Sequence, residues 1–139
     1  MSLYVLDTDI LSLYQHAHSV VCQNVTNHPH NEIAITVITV QEQLFGWYHL
    51  LGQTKKPDQL AIVYQSLAET LQFLARWPIL SFSEPAILRF EQLLTMKLNI
   101  GKMDLRIAAI ALQLGHTVVT RNTRDFRRVP GLSIEDWTV

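Results

Sequence analysis

Two aspartates in the C-terminal third of the chain stand where a carboxylate is costly to place unless something pairs with it. Asp104 falls in the first turn of a helical pattern that follows Gly101 and that is apolar on two faces, as buried helices are. Asp125 comes after the β-branched run 117–120, which predicts a short strand. Taken singly, each acid has a simple structural interpretation, as a helix N-terminal charge or as a loop cap. A chemical role depends on whether other acids reach the same place.

Two further acids come from the N-terminal half of the chain. Asp7 follows the apolar run 3–6, which has the character of a strand buried on both faces. Glu42 lies three residues after Thr39, which is the spacing of a helix capping box, so Glu42 also has a structural interpretation. The carboxyl ends of parallel strands meet at one edge of an open sheet, and ligands bind there. We therefore expect all four acids to share that edge.

Four carboxylates in one cleft repel one another, and either raised pKa values or a bound cation must relieve the repulsion. Hard oxygen ligands without clustered histidine or cysteine favour Mg²⁺ or Mn²⁺. Such ions typically activate water and neutralise the charge of a phosphodiester during its cleavage. The acids therefore predict a metal-dependent phosphodiesterase, without indicating its substrate.

A basic segment adjoins the last of these acids. It contains Arg121, Arg124, Arg127 and Arg128. These arginines could anchor the phosphates of a polyanionic substrate, or they could simply belong to a solvated loop, and both interpretations stay open. The formal net charge is -1, with 11 basic and 12 acidic residues, which argues weakly against binding nucleic acid through bulk charge.

Histidine pairs at 16/18 and 28/30 are weak candidates for metal ligands. Residues two apart on a helix do not face each other, and a loop pair without a third ligand falls short of a zinc site. The composition, 48% hydrophobic and 17% charged, excludes disorder, and no apolar run is long enough to span a membrane. The lone Cys22 excludes an internal disulfide and favours a reducing cytoplasm as the location.

Strand patterns alternate with helical ones along the 139 residues, which predicts one α/β domain over 1–139 with helices on both faces of a mainly parallel sheet. The helix after Asp7 is expected to be capped by Thr8 or Asp9, and the helix after the second strand by Thr39. The span 39–75 predicts a helical hairpin with more apolar surface than a domain of this size needs. That surface is either ordinary core or the seat of a partner.

Together these motifs resemble the PIN-domain family, and the ending is similar to that of the VapC-type toxins within it. The resemblance covers nearly the whole chain, and the block at 120–126 is its most specific part. The residues that carry it are Leu6-Asp7-Thr8-Asp9, Gln41-Glu42, Gly101-Lys102-Met103-Asp104 with Ile107-Ala108-Ala109, Thr120-Arg121-Asn122-Thr123-Arg124-Asp125-Phe126, and Val129-Pro130-Gly131-Leu132 with Trp137.

The resemblance implies a PIN-like three-layer α/β/α sandwich with about five mainly parallel strands and a protruding helical hairpin. It implies an endoribonuclease that uses Mg²⁺ or Mn²⁺, pairs with an antitoxin whose C-terminal segment covers the acidic cleft, and usually forms a homodimer. The hairpin would seat the antitoxin. The implied catalytic acids are Asp7, Glu42, Asp104 and Asp125, with Asp7, Asp104 and Asp125 on the metal and Thr120 and Asn122 in support.

The chain departs from the family pattern at two positions. Many relatives carry Asp where this chain has Asn122, which removes one possible ligand and leaves the number of metal ions open. Asp9 stands where Asn is common, and we interpret it as a helix cap and not as a ligand.

Three other functions are alternatives to this one. A phosphoacceptor signalling domain would need an aspartate at the end of a middle strand, which 79–82 lacks, and a lysine where Thr120 is followed by Arg121. A PIN-like fold that only binds RNA or protein is opposed by the presence of all four acids. A DNA nuclease of similar fold stays open.

Overall fold

A wholly parallel sheet forms the centre of the computed structural model, which describes residues 2–139. Within those residues the sheet has five strands in the order β3-β2-β1-β4-β5. The strands are β1 (Tyr4–Leu6), β2 (Ile33–Thr36), β3 (Ile79–Leu80), β4 (Thr117–Val119) and β5 (Ser133–Glu135). The chain runs outward from β1 to β3 and then returns to place β4 on the other side of β1. The topological switch point therefore lies between β1 and β4.

Helices fill the connections between the strands. They are α1 (Thr8–Gln15), α2 (Ser19–Asn27), α3 (Val37–Gln53), α4 (Pro57–Leu74), α5 (Glu84–Thr95), α6 (Lys102–Leu114) and α7 (Thr123–Phe126), with a 3₁₀ turn at His30–Glu32. In the part of the chain that is described, no helix is both long and apolar enough to cross a bilayer.

Alternation of side chains along the strands divides the core into two halves, as expected for a sheet covered on both faces. Val5 and Val118 pack with α5, α6 and α7, whereas Leu6 and Val119 pack with α1, α2 and the end of α4. The result is the predicted three-layer α/β/α arrangement, and the fold class inferred from the sequence is confirmed.

Helix α6 carries Asp104 and is the most deeply packed helix of the chain. Its side chains from Ile107 to Ala111 are all fully buried, which explains why the sequence pattern is apolar on two faces. The helix ends at Gly115, whose φ of 72° is left-handed and is tolerated best by glycine. Because α6 is packed so tightly, the position of Asp104 relative to the ends of the strands is fixed.

Helices α3 and α4 form a hairpin in which the two helices pack mainly against each other. The indole Nε1 of Trp47 donates a hydrogen bond to Thr70 Oγ1 at 2.8 Å and ties the two helices together. Large apolar side chains nevertheless remain exposed on it, among them Phe45 at 58% and Ile62 at 66%. The surplus of apolar residues predicted for this hairpin is therefore surface and not core.

The predicted caps of two helices were wrong, by one or two residues for α1 and by three residues for α3. Asp7, and not Thr8 or Asp9, caps α1, because the extended backbone at Asp7 lets its carboxylate accept the amide of Ile10. Thr36, and not Thr39, caps α3, because the strand ends there and the Thr36 hydroxyl accepts the amide of Thr39. Glu42 is consequently not part of a capping box, so the structural interpretation of that acid no longer holds.

Candidate active site

The switch point of the sheet positions the first acid. Leu6 and Val119 are paired across β1 and β4, and the amide of Asp7 donates to the carbonyl of Val119 at 3.0 Å. Asp7 and Thr120 therefore leave adjacent strands side by side, at the crevice where open α/β sheets bind ligands. Both residues are buried, and a hydrogen bond joins the Thr120 side chain to the Asp7 carboxylate.

Burial dominates the electrostatics of Asp7. The residue is only 4% exposed, and the resulting desolvation raises the pKa of the carboxyl to about 7, against 3.8 for an ordinary aspartate. Hydrogen bonds from Thr120 and from the Ile10 amide lower that pKa, while the charges of Asp104 and Asp9 raise it further. A buried carboxyl whose pKa lies near neutrality, at a sheet edge, is a frequent mark of a functional group.

Asp104 reaches the same place from α6. Burial raises its pKa, and the negative charges of Glu42, Asp125 and Asp9 raise it further. The predicted acids are thus within electrostatic range of one another: the charges of Glu42 and Asp125 act on Asp104, and the charge of Asp104 acts on Asp7. No side chain or amide within residues 2–139 donates a hydrogen bond to the Asp104 carboxylate, so no hydrogen bond offsets this repulsion.

Glu42 is oriented by hydroxyl groups on α1 and α3. Thr8 Oγ1 donates to Glu42 Oε1 at 2.6 Å and lies 2.9 Å from Thr39 Oγ1. A threonine hydroxyl has one proton, so with Thr8 donating to Glu42 it must be Thr39 that donates to Thr8. This chain fixes one oxygen of Glu42. The sequence pattern did not indicate this role for Thr8 or Thr39, because the contact depends on how α1 packs against α3.

Asp125 has a hydrogen-bond donor on each of its two carboxylate oxygens. It lies on the short helix α7, which the sequence did not predict and which is anchored by the fully buried Phe126. Asn122 Nδ2 donates to Asp125 Oδ2 at 2.9 Å, and the amide of Asn122 donates to Thr120 Oγ1 at 2.9 Å. Arg128 Nη1 holds the other carboxylate oxygen of Asp125 at 3.1 Å.

The four arginines beside Asp125 fall into two pairs. Arg128 contacts Asp125, and Arg121 forms an exposed ion pair with Asp9. Asp9 therefore lies at the rim of the cluster with a cation of its own, and it does not cap α1. Arg124 and Arg127 are exposed and form no ion pair with any other described residue, which leaves both guanidinium groups available for an anionic ligand.

Histidines do not join the cluster. His16 and His30 contact main-chain carbonyls, His18 caps α2, and His28 stacks on Trp137 at 4.3 Å between ring centroids. Among residues 2–139, no three Asp, Glu, His or Cys side chains are grouped tightly enough to surround an ion by themselves. The acidic cleft therefore offers carboxylate oxygens alone. This donor set suits a hard cation that keeps part of its water shell.

A parallel sheet with clustered carboxylates at its topological switch point defines an α/β protein with an acidic site of the nuclease type. The chain belongs to the PIN-domain family, because the family model described as "PIN domain" matches residues 4–132. That match includes every acid of the cluster.

Known relatives and solved structures agree with this assignment. The chain is 32% identical to "Ribonuclease VapC2" of Rickettsia felis, over 97% of this chain and 98% of the relative. It is also 32% identical to "tRNA(fMet)-specific endonuclease VapC" of Salmonella typhimurium, over 77% of this chain and 76% of that protein. The crystal structure of DNA-bound VapBC from Salmonella typhimurium matches the fold with a TM-score of 0.77 at 26% identity, covering 99% of each chain.

Proposed function

We propose that this chain is an endoribonuclease, the toxin of a toxin–antitoxin pair, which hydrolyses RNA phosphodiester bonds with Mg²⁺ or Mn²⁺. The observation that carries the proposal is the convergence of Asp7, Glu42, Asp104 and Asp125 at the switch point of the sheet, with Asp7 buried and its pKa raised. The names of the relatives as ribonuclease and endonuclease support the reaction type.

The metal would be held by Asp7, Asp104 and Asp125, in part through its bound waters, because no three of these side chains are grouped tightly enough to surround an ion directly. Mg²⁺ usually binds through one or two carboxylates and keeps several waters, so it does not need a closed protein cage. When bound, the ion supplies an activated water and neutralises the charge that develops on the phosphodiester. It would also relieve the mutual repulsion that raises the pKa of Asp104.

Protein groups around the cleft would deprotonate the attacking water, orient the carboxylates and bind the phosphates of the substrate. Thr8 occupies Glu42 Oε1 and leaves Oε2 free to accept a proton from an attacking water. Thr120 and Asn122 hold Asp7 and Asp125 in place through hydrogen bonds. Arg124 and Arg127 stand ready to bind the phosphates on either side of the scissile bond.

The antitoxin would seat on the hairpin. A groove of about 510 Å³ runs between α1, α3 and α4, and Thr8, Trp47 and Leu50 contribute to its walls. Because Thr8 also contacts Glu42, a segment lying in this groove would end beside the acidic cleft and would cover it. Solved structures of this fold include a toxin–antitoxin complex from Klebsiella pneumoniae. We further expect this chain to form a homodimer.

Chelation tests the proposed reaction. We expect purified protein to cut total RNA and purified tRNA in Mg²⁺ or Mn²⁺ and to lose that activity in EDTA, because four acids without a cation repel the phosphodiester. Gel electrophoresis of the products measures it, with single-stranded and duplex DNA as parallel substrates. Equal cutting with and without EDTA would exclude the metal mechanism, and cutting of DNA alone would identify a DNA nuclease.

The exposed arginines should govern RNA affinity. Replacing both Arg124 and Arg127 with Ala is expected to weaken RNA binding and to flatten its salt dependence, with a slope loss of about 0.7 for each lost phosphate contact. Filter binding at several salt concentrations measures this. Lys55→Ala with Lys56→Ala, at the turn of the hairpin, removes the same charge far from the cleft and serves as the control. An unchanged slope would make the two arginines ordinary surface charges.

A further inference from the structure

Arg128 stands apart from its neighbours in the basic segment. Its side chain is only 30% exposed, whereas the preceding residue Arg127 and Arg124, one turn earlier, are exposed. Its guanidinium is already occupied: Nη1 donates to Asp125 Oδ1 at 3.1 Å and to the main-chain carbonyl of Asn99 at 2.9 Å. With these two hydrogen bonds in place, Arg128 is poorly placed to bind a phosphate of the substrate.

The two partners of Arg128 belong to different sides of the acidic site. Asp125 lies on α7, whereas Asn99 lies in the connection between α5 and α6, which leads directly into the helix that carries Asp104. In that connection Lys97 and Asn99 adopt left-handed φ values of 51° and 59°. Such conformations are unfavourable for residues other than glycine and persist only where surrounding contacts hold them. One nitrogen of Arg128 therefore ties α7 to the entrance of α6.

This tie acts against a repulsion. The Asp125 carboxylate lies near enough to Asp104 for the two negative charges to repel each other. The Asp125 side chain is 30% exposed and could rotate into solvent to relieve that repulsion. Asn122 restrains one of its oxygens and Arg128 the other, so the carboxylate cannot turn without losing a hydrogen bond.

We propose that Arg128 is a positioning residue, which holds the Asp125 carboxylate beside Asp104 by bridging it to the Asn99 carbonyl. The inference rests on the proposed metal-dependent cleavage and adds a role that is distinct from phosphate binding. Groups that orient metal ligands from the outer shell typically matter ten- to a hundredfold for metal affinity or activity.

The sign of the change in metal affinity separates positioning from simple electrostatics. Removing a cation near an acidic cluster would by itself strengthen the binding of Mg²⁺ or Mn²⁺. Losing the alignment of Asp125 would weaken that binding. Because the Arg128 side chain is partly exposed, solvent screens its charge, and we expect the loss of alignment to dominate.

The test compares Arg128→Met with Arg127→Met. Methionine retains the aliphatic stem but removes the charge and both hydrogen bonds of the guanidinium. For Arg128→Met we expect Mn²⁺ affinity, measured by calorimetry without RNA, to fall about tenfold or more, and kcat to fall with little change in KM. For Arg127→Met we expect the reverse pattern: the KM for RNA should rise, while the Mn²⁺ affinity should stay unaltered. Arg128→Lys should recover only part of the lost affinity. It restores the positive charge, but an ammonium on a shorter stem cannot reach both Asp125 and Asn99 as well as the guanidinium does.

Each outcome decides a separate point. If the wild type neither binds Mn²⁺ nor cuts RNA with it, the proposed function fails and the role of Arg128 falls with it. If the wild type binds and cuts, but Arg128→Met binds Mn²⁺ as well or better, only the positioning role is overturned. A raised KM with unaltered metal affinity would instead make Arg128 a phosphate anchor. Should Arg128→Met fail to fold, Arg128→Lys decides, and wild-type Mn²⁺ affinity in that variant would overturn the bridge.

Discussion

Replacing Asp7 with Asn is expected to reduce RNA cleavage by about a thousandfold or more, which corresponds to roughly 4 kcal/mol of lost transition-state stabilisation. Asp7 is the most buried acid of the cluster and stands at the switch point itself, so an uncharged amide there would remove the ligand most firmly fixed by the fold. Single-turnover cleavage of tRNA at saturating Mn²⁺ measures the loss. An active Asp7→Asn protein would remove Asp7 from the site.

Asp7→Asn should keep its fold, which makes the loss of activity interpretable. Asparagine is as good a helix cap as aspartate, and its side-chain oxygen can accept the Ile10 amide as Asp7 Oδ1 does at 2.9 Å. Asp58→Asn is the matched control, since it removes an exposed acid from the first turn of α4 and should leave cleavage intact.

The metal-free fold should even gain stability from Asp7→Asn. The folded pKa of Asp7 is about 7 and the ordinary value is 3.8, so the ionised carboxylate destabilises the fold. This penalty is absent below the unfolded value, grows as the pH rises and is complete above the folded value. In EDTA the variant should therefore melt above wild type at pH about 8, and the gap should narrow towards pH about 5. A wild type that melts higher at the alkaline pH would contradict the burial argument.

Local sequence signals were sufficient to predict which acids lie at the edge of the sheet. They were not sufficient to predict the side-chain contacts made there between different helices. Asp7 could be placed because a continuous apolar run ends directly before it, and Asp104 because a helix apolar on two faces begins there. The hydrogen bond from Thr8 to Glu42 could not be predicted, because it joins α1 to α3 through tertiary packing. The sequence also offers good capping residues at three successive positions, 7–9, and only the exact end of β1 selects Asp7.

Arg128 illustrates a different limit. Clustering with three other arginines indicated a common role, yet α7 has only four residues and no period from which to assign their directions. Two of the four side chains meet carboxylates and two face solvent, a division that depends on the buried Phe126 and on the loop at Asn99. Charge patterns therefore located the basic segment, while packing determined what each arginine contacts.

Replacing Asp104 with Asn should give the second large effect. The variant should be more stable than the wild type without metal, and less stable than the wild type with it. The pKa of Asp104 is raised, first by burial and then by the charges of Glu42, Asp125 and Asp9, and nothing within residues 2–139 donates a hydrogen bond to its carboxylate. Its folded pKa lies above the unfolded value, so the destabilisation appears as the pH climbs past the unfolded value and is absent in acid. A favourable helix dipole acts on the same charge, and we expect desolvation and repulsion to outweigh it.

Metal-free Asp104→Asn is therefore expected to melt a few degrees above metal-free wild type at neutral pH. Mg²⁺ should reverse the order, because only the wild type gains the full free energy of binding. Asp125→Asn provides the contrast: that carboxylate is held by Asn122 and Arg128, so neutralising it should not raise the melting temperature in EDTA. Thermal melts of the three proteins in EDTA and in millimolar Mg²⁺ decide the matter. If the wild type is more stable than Asp104→Asn in EDTA, or if Mg²⁺ shifts neither melt, Asp104 is a structural helix-terminal charge and the proposed site is wrong.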